Sequence, residues 1–251
     1  MTIGKIILIL ATGTAAGFLN VLGGGGSLLT IPMLIFLGLP SAMANGTNRV
    51  ALLVQDIVAV ANFRSKGFFD LKLSLTLAIP ALVGSIIGSK IAISLPDEIF
   101  NKILALVMFA VLFLAIKQPQ KKIISEEEGK LSPDRKIPSM IAFFFIGIYG
   151  GFIQAGVGFI IIAALTLITG MSLVRINSLK VFIGGLFILS SLLVFIISGK
   201  IDWSLGLTLA IGNSLGAWLG SNFAVVKGDK WIRYILIVTV TFMALKLLFN
   251  F

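Results

Sequence analysis

Residues 4–38 read GKIILILATGTAAGFLNVLGGGGSLLTIPMLIFLG, an apolar run whose one charge is Lys5 and which is interrupted by four glycines at 23–26. At 1.5 Å of rise per residue, an unbroken helix over this run would be about 50 Å long, against about 30 Å for the hydrocarbon core of a bilayer. The run is therefore expected to break at Gly23, Gly24, Gly25 and Gly26, as a broken helix or a helical hairpin. Backbone that leaves the helix at membrane depth must be covered by protein or line a cavity, because lipid cannot pair its N–H and C=O groups. The first 22 residues lack a small-residue cleavage site before the chain continues apolar. They read as a retained helix, not a signal peptide.

Similar runs recur at 42–62, 73–95, 99–116, 138–169, 176–198, 204–225 and 231–249, the one at 138–169 again overlong. Of the 251 residues 58% are hydrophobic and 12% charged, whereas soluble domains carry about 25% charged residues. The fold expected is an all-α, polytopic transmembrane helical bundle. The absence of Cys and His removes thiolate nucleophiles, iron–sulfur ligation, the commonest metal ligand and the usual general base. Transport is favoured over catalysis, and no cofactor is expected. The excess of 20 Lys+Arg over 10 Asp+Glu reads as cytoplasmic loop charge, so the partners expected are the lipid bilayer and a small solute, with no nucleic acid and with a second copy of the chain as a further candidate. One stretch is strongly polar, KQPQKKIISEEEGKLSPDRKI at 117–137. It divides the chain into a first membrane unit at 1–116, a polar linker, and a second membrane unit at 138–251.

The two units resemble each other. Shifted by 132 positions, residues 38–89 match residues 170–221 without a gap at 14 of 52 positions, including LTLAI at 75–79 and again at 207–211. The register pairs Asn45 with Asn177, Asp70 with Asp202, Asp97 with Asp229, and Gly84 and Gly88 with Gly216 and Gly220. After a two-residue shift GFLN at 17–20 aligns with GFIQ at 151–154. Duplicated halves of about four helical segments each are a common plan of secondary transporters, whose substrate site lies near the midplane where the repeats meet. Duplicated channels share the plan.

Asn45, Asn48, Arg49, Gln55, Asp56 and Asn62 fall on one helical stripe of an otherwise apolar segment. A charge in mid-bilayer costs about 2.5 kcal/mol or more, so Arg49 and Asp56 are expected to face protein or a wet cavity. The second unit repeats the theme with Asn177 and Lys180. Lys180 aligns with Asn48 in the ungapped register and with Arg49 after a one-residue shift, and two fixed cations at one depth favour an anion. The opposite reading is that both cations sit near helix ends and snorkel to the interface. Asn20 and Gln154 stand just before the glycine breaks, as substrate donors or as partners of freed backbone groups. Gly24, Gly25 and Gly158 open half-helices whose N-termini stabilise an anionic oxygen. The candidate substrate contacts are thus Asn20, Gly24, Gly25, Asn45, Asn48, Arg49, Gln154, Gly158, Asn177 and Lys180. Asp56, the sole acid in the middle of an apolar segment, is the candidate coupling-ion residue or else a simple partner of a cation. The Gly84/Gly88 and Gly216/Gly220 pairs are read as close helix packing.

GFLNVLGGGGSLLTIPMLIFLGLPSAMANGTNR, residues 17–49, resembles the signature of the sulfite exporter TauE/SafE family of prokaryotic membrane proteins. The glycine break, Pro32, the Gly-Leu-Pro turn at 38–40 and Thr47-Asn48-Arg49 carry the resemblance. It implies a multi-pass permease of the prokaryotic plasma (inner) membrane that moves sulfite, sulfonates or related small sulfur oxyanions, usually outward. The second break departs from the pattern, reading AGVGFII with Phe159 where a further glycine is expected. A cation permease normally displays several intramembrane carboxylates or His and Met clusters, and an intramembrane hydrolase would need Ser27 as nucleophile with Lys180 as base. Loop charge bears on the orientation of the halves: with the linker inside, inverted halves place fourteen basic residues in the cytoplasm and six outside, whereas parallel halves place twelve and eight. The positive-inside rule thus favours inverted halves with both termini outside.

Overall fold

Each glycine-rich break divides its apolar run into a long helix and a short one. The computed structural model describes residues 2–116, 131 and 133–249. Its helices are α1 (Ile3–Leu22), α2 (Ser27–Phe36), α3 (Ser41–Ser65), α4 (Leu71–Ser94) and α5 (Asp97–Ile116), then α6 (Pro133–Phe152), α7 (Val157–Thr169), α8 (Leu173–Ile197) and α9 (Trp203–Phe249). The first overlong run becomes α1 and α2, and the run at 138–169 becomes α6 and α7. The last two runs join in α9, which is interrupted at Gly228 by a non-helical backbone (φ 70°, ψ −169°). Most of the linker, 117–130 and 132, lies outside the described residues, and its last residues form the start of α6.

The aspartates that recur 132 residues apart all sit at helix starts. Asp70 Oδ1 accepts from the Leu73 N–H at 3.0 Å and Asp202 Oδ1 from the Leu205 N–H at 2.9 Å, capping α4 and α9. Asp97 Oδ1 reaches back to the Ser41 N–H at the head of α3 (3.1 Å), and Asp229 takes the Leu173 and Val174 N–H groups at the head of α8 (3.0 and 3.2 Å). Each cap satisfies a donor the helix cannot pair, for about 1 kcal/mol. The long-range pair also ties the helix after α4 to the start of α3, and the second arm of α9 to the start of α8.

Directions follow from the contacts. Gly46, near the start of α3, packs on Phe195 and the Lys200 carbonyl at the end of α8, and Ser178, near the start of α8, bonds the Phe68 carbonyl just past α3. The two helices are therefore antiparallel. By the same test α1 runs with α9, Gly13 lying on Leu209 and Gly216 on Thr14 and Phe18, and α6 runs with α4, Gly84 lying on Phe144 and Gly88 on Ile148. Helix α3 runs with α9 through Thr47 to Asp202, Gln55 to Asn213 and Asn62 to Ser221. Helix α8 runs with α4, Phe182 meeting Phe69 and Ser190 meeting Ser85. So α1, α3 and the first arm of α9 point one way, and α4, α6 and α8 the other.

The packing is that of a membrane protein. On α4, Leu71, Leu75, Ile79, Val83, Ile87 and Ile91 are exposed at intervals of four, while Ser85, Gly84 and Gly88 on the other side are buried. Lipid tails are as apolar as leucine, so close approach of small residues holds such helices together. A side chain at Gly84 or Gly88 would strike the α6 backbone, and at Gly216 the α1 backbone. Among the described residues four helices, including α1, α4 and α8, are long and apolar enough to cross a membrane. The polar stripe of α3 lowers its hydropathy.

Candidate functional site

Breaking a helix in the middle of a protein exposes its last carbonyls, which carry a partial negative charge of about half a unit. Helix α1 ends at Leu22 and α6 at Phe152. Lys180 of α8 points its ammonium at the end of α1, donating to the Asn20 and Val21 carbonyls at 2.8 and 2.7 Å and to Asn177 Oδ1 at 2.9 Å. Asn177 donates in turn to the Leu22 carbonyl at 3.3 Å. Arg49 of α3 does the same at the end of α6: its η nitrogens donate to the Gly150 and Gly151 carbonyls at 3.2 and 2.6 Å. They also reach Gln154 Oε1, Ser191 Oγ and Asn45 Oδ1 at 3.3, 2.7 and 3.3 Å. Asn45 donates to the Phe152 carbonyl at 2.7 Å, and the guanidinium stacks 4.9 Å over Phe195. Carbonyls 20, 21 and 22 thus receive what carbonyls 150, 151 and 152 receive, 130 residues on. The cation of α8 caps the end of α1, and the cation of α3 caps the end of α6.

These contacts revise the reading of the cations. Arg49 is fully buried and Lys180 is 5% exposed, so neither snorkels to the interface, and neither counts among the loop charges. All three Lys180 donors are engaged by the chain itself. Arg49 does not pair with Asp56. Ser27 Oγ accepts from Asn48 Nδ2 at 3.2 Å, and Asn48 Oδ1 accepts from Thr30 Oγ1 at 2.6 Å. Ser27 therefore has no hydrogen bond to Lys180, as an intramembrane hydrolase would require.

The breaks themselves meet. Gly24, at φ +90°, and Gly158 lie with their Cα atoms so close that a Cβ on either would overlap the other's backbone. Gly26 is pressed against the Ala16 carbonyl and the Asn20 side chain. Gly156 is left-handed, and so is Gln154 (φ 66°), an unusual conformation for a residue with a side chain. From this crossing α2 and α7 leave by their N-termini, where Leu28, Leu29 and Thr30 donate to the Gly25 and Gly26 carbonyls and Val157 and Phe159 to those of Gln154 and Gly156, so that the turns of the breaks pair several of the N–H groups the helices themselves cannot. Asn20, Gly24, Gly25, Asn48, Gln154 and Gly158 stand at or beside it, while Asn45, Arg49, Asn177 and Lys180 hold the ends of α1 and α6. Phe159 is buried just past the second break.

Asp56 lies elsewhere on α3, against Gly184 and Gly185 of α8. It accepts from Gln55 Nε2 at 3.0 Å, and Gln55 Oε1 accepts from Asn213 Nδ2 at 3.2 Å. Asn213 is the residue that reading the sequence passed over. Its signal was an amide in the middle of the apolar run at 204–225, aligned with Ala81 in the repeat register. Among the described residues no cluster of carboxylates suited to a metal ion is present.

A family model described as "Sulfite exporter TauE/SafE" matches residues 9–247. Three curated relatives match nearly end to end. "Probable membrane transporter protein" of Haemophilus influenzae is 27% identical over 248 residues, covering 99% of this chain and 96% of its own. "Probable membrane transporter protein YfcA" of Escherichia coli is 28% identical over 238 residues (94% and 86%). "Probable membrane transporter protein ORF9" of a Sinorhizobium species is 26% identical over 234 residues (93% and 88%). No solved structure matches the chain.

Proposed function

The chain belongs to the sulfite exporter TauE/SafE family of membrane transporters, and on that premise we propose that it is a secondary permease for small sulfur oxyanions or organosulfonates. The anion binds where α2 and α7 begin, at the Gly24–Gly158 crossing, and is carried outward, as the family's description implies. The observation that carries this reading is the capping of α1 and α6 by Lys180 and Arg49. With the carbonyl ends of the broken helices neutralised, the fields left at the crossing are the positive N-termini of two half-helices. The buried ionisable groups Arg49, Lys180 and Asp56 add a net formal charge of +1. A cation would meet repulsion there and an anion would not. Asn20, Gly24, Gly25, Asn48, Gln154 and Gly158 contact the anion. Asn45, Asn177, Arg49 and Lys180 hold the breaks that present those groups and contribute charge. Equilibrium binding of sulfite, sulfate, thiosulfate, taurine and sulfoacetate to the purified protein, followed by counterflow in proteoliposomes, tests the reading. Saturable binding of at least one sulfur anion with no affinity for ammonium or sodium is expected, and binding of none of them refutes it.

We read the two units as inverted repeats in the plasma membrane. Supporting this, α1 and α6, α3 and α8, and α4 and the first arm of α9 correspond in the repeat register and point in opposite directions. The face where α3 ends holds Arg64, Lys66, Lys72, Arg135, Lys136, Arg175, Lys227 and Lys230, and the opposite face Lys5, Lys90, Lys102 and Lys200. The first is then cytoplasmic. Single cysteines in this Cys-free chain report the sidedness. At Ser198 the thiol is expected to react with an impermeant maleimide in intact cells, and at Ser65 to be protected; equal labelling of both refutes the arrangement.

A further inference from the structure

Gln55 and Asp56 are the polar residues of α3 that the broken helices do not use. Asp56 is the one buried carboxylate among the described residues, and Gln55 and Asn213 are fully buried with it. Hydrogen bonds run in a single sense from Asn213 to Gln55 to Asp56. At the far end, Asn213 Oδ1 is buried with no partner. A buried acceptor left unpaired costs about 1–3 kcal/mol. The corresponding positions in the repeat register are Phe187, Ile188 and Ala81, so the fold is built on the other side without this chain of groups. Lys180 of α8 interacts with Asp56 through charge. From α9 the facing group is Asn213, and α2 has no titratable residue.

We propose that Asp56, Gln55 and Asn213 form a proton-binding site that reverses its hydrogen-bond polarity on loading, and that the proton and the anion cross the membrane in the same direction, outward when the anion's own gradient exceeds the inward proton gradient. The inference rests on the permease reading above. In the ionised state the amides donate toward the carboxylate. When a proton from water forms an O–H bond on Asp56, that hydroxyl donates to Gln55 Oε1. The Gln55 and Asn213 amides both turn, so that Gln55 Nε2 donates to Asn213 Oδ1, the acceptor that is unpaired in the ionised state. No other covalent bond changes, and Asp56 goes from one negative charge to none. The buried ionisable groups then carry +2 instead of +1. Loading the proton raises the affinity for an anion, and by linkage the anion raises the affinity for the proton, so both are held together. An exchanger would need each to expel the other, which this charge balance opposes. Coupling between sites is typically about 5–150-fold in affinity, and sulfonate binding should weaken by a factor in that range as Asp56 ionises.

Isethionate stays ionised across the pH range, so any proton that moves with it belongs to the protein. In proteoliposomes carrying a pH-sensitive dye, an inward isethionate gradient is expected to acidify the lumen by about one proton per anion, and Asp56→Asn to abolish the acidification. Alkalinisation, or anion counterflow without proton movement, overturns the proposal. A second measurement needs neither transport nor a variant. The pH-difference infrared spectrum of the wild-type protein should contain the carbonyl band of a water-shielded carboxylic acid, appearing together with side-chain amide bands. Absence of that band overturns the proton site even where isethionate proves to be the wrong anion. If the band is present and isethionate neither binds nor moves, the substrate reading fails instead. Asn213→Leu, acting through Gln55 as a positioning change, should shift the band.

Discussion

Arg49→Gln is expected to cost the protein its fold before it costs affinity. The guanidinium holds the Gly150 and Gly151 carbonyls, Gln154, Ser191 and Asn45 in a site closed to water. A neutral amide can replace one or two of those bonds and leaves the rest orphaned. Removing one member of a buried, hydrogen-bonded charge arrangement costs about 3–5 kcal/mol, a large part of the stability of most domains. The expected outcome is a sharp loss of monodisperse protein on size exclusion and a lower melting temperature in detergent, with weaker anion binding in what survives. Lys180→Gln should be milder, because three bonds are lost there. A simple substrate ligand would behave in the opposite way, losing affinity with yield intact, and an unchanged melting temperature for Arg49→Gln would refute the capping role.

The crossing of the breaks should be as intolerant. Alanine at Gly158 would place a methyl closer than 3.0 Å to the Gly24 backbone, and alanine at Gly24 would do the same in reverse. Overpacking costs about 1–3 kcal/mol and more when backbone must move, and Gly24 adds about 1–2 kcal/mol for a left-handed conformation in a residue with a Cβ. Either substitution is expected to abolish transport by prising the half-helix N-termini apart. The double variant should cost less than the sum of the two single ones, since both crowd the same contact and the separation forced by one methyl makes room for the other. Gly38→Ala is the control. That glycine is also left-handed (φ +100°) but has open space around it, so it should lose a little stability and keep its transport. Transport by Gly158→Ala at the wild-type rate would exclude the crossing as the site.

Much of this architecture is legible without coordinates. Hydropathy locates the apolar runs because a bilayer demands about 20 residues per crossing, and the excess length of residues 4–38 and 138–169 forces a break where the glycines lie. The repeat register picks out Asp70, Asp97, Asp202 and Asp229 as recurring acids. A polar residue that recurs in an apolar chain does so for a reason, although their common role as helix caps emerges from the fold.

What the sequence by itself determined is the solvent, the breaks, and the fact that Arg49, Lys180 and Asp56 lie within apolar segments. The partners of those charges were decided by tertiary structure. Arg49 and the carbonyl of Gly151 are 102 positions apart, and Lys180 and that of Val21 are 159 apart, distances over which local periodicity carries no information. A guanidinium aimed at a bound oxyanion and one aimed at the end of a broken helix have the same sequence signature, because both are a cation on an apolar stripe. They are told apart only when the fold brings the orphaned carbonyls of α6 within reach of Arg49 and those of α1 within reach of Lys180. Asn213 is the same case. An amide in an apolar stretch of helix has no meaning until α9 is laid against α3, where it completes a chain of hydrogen bonds that ends on Asp56.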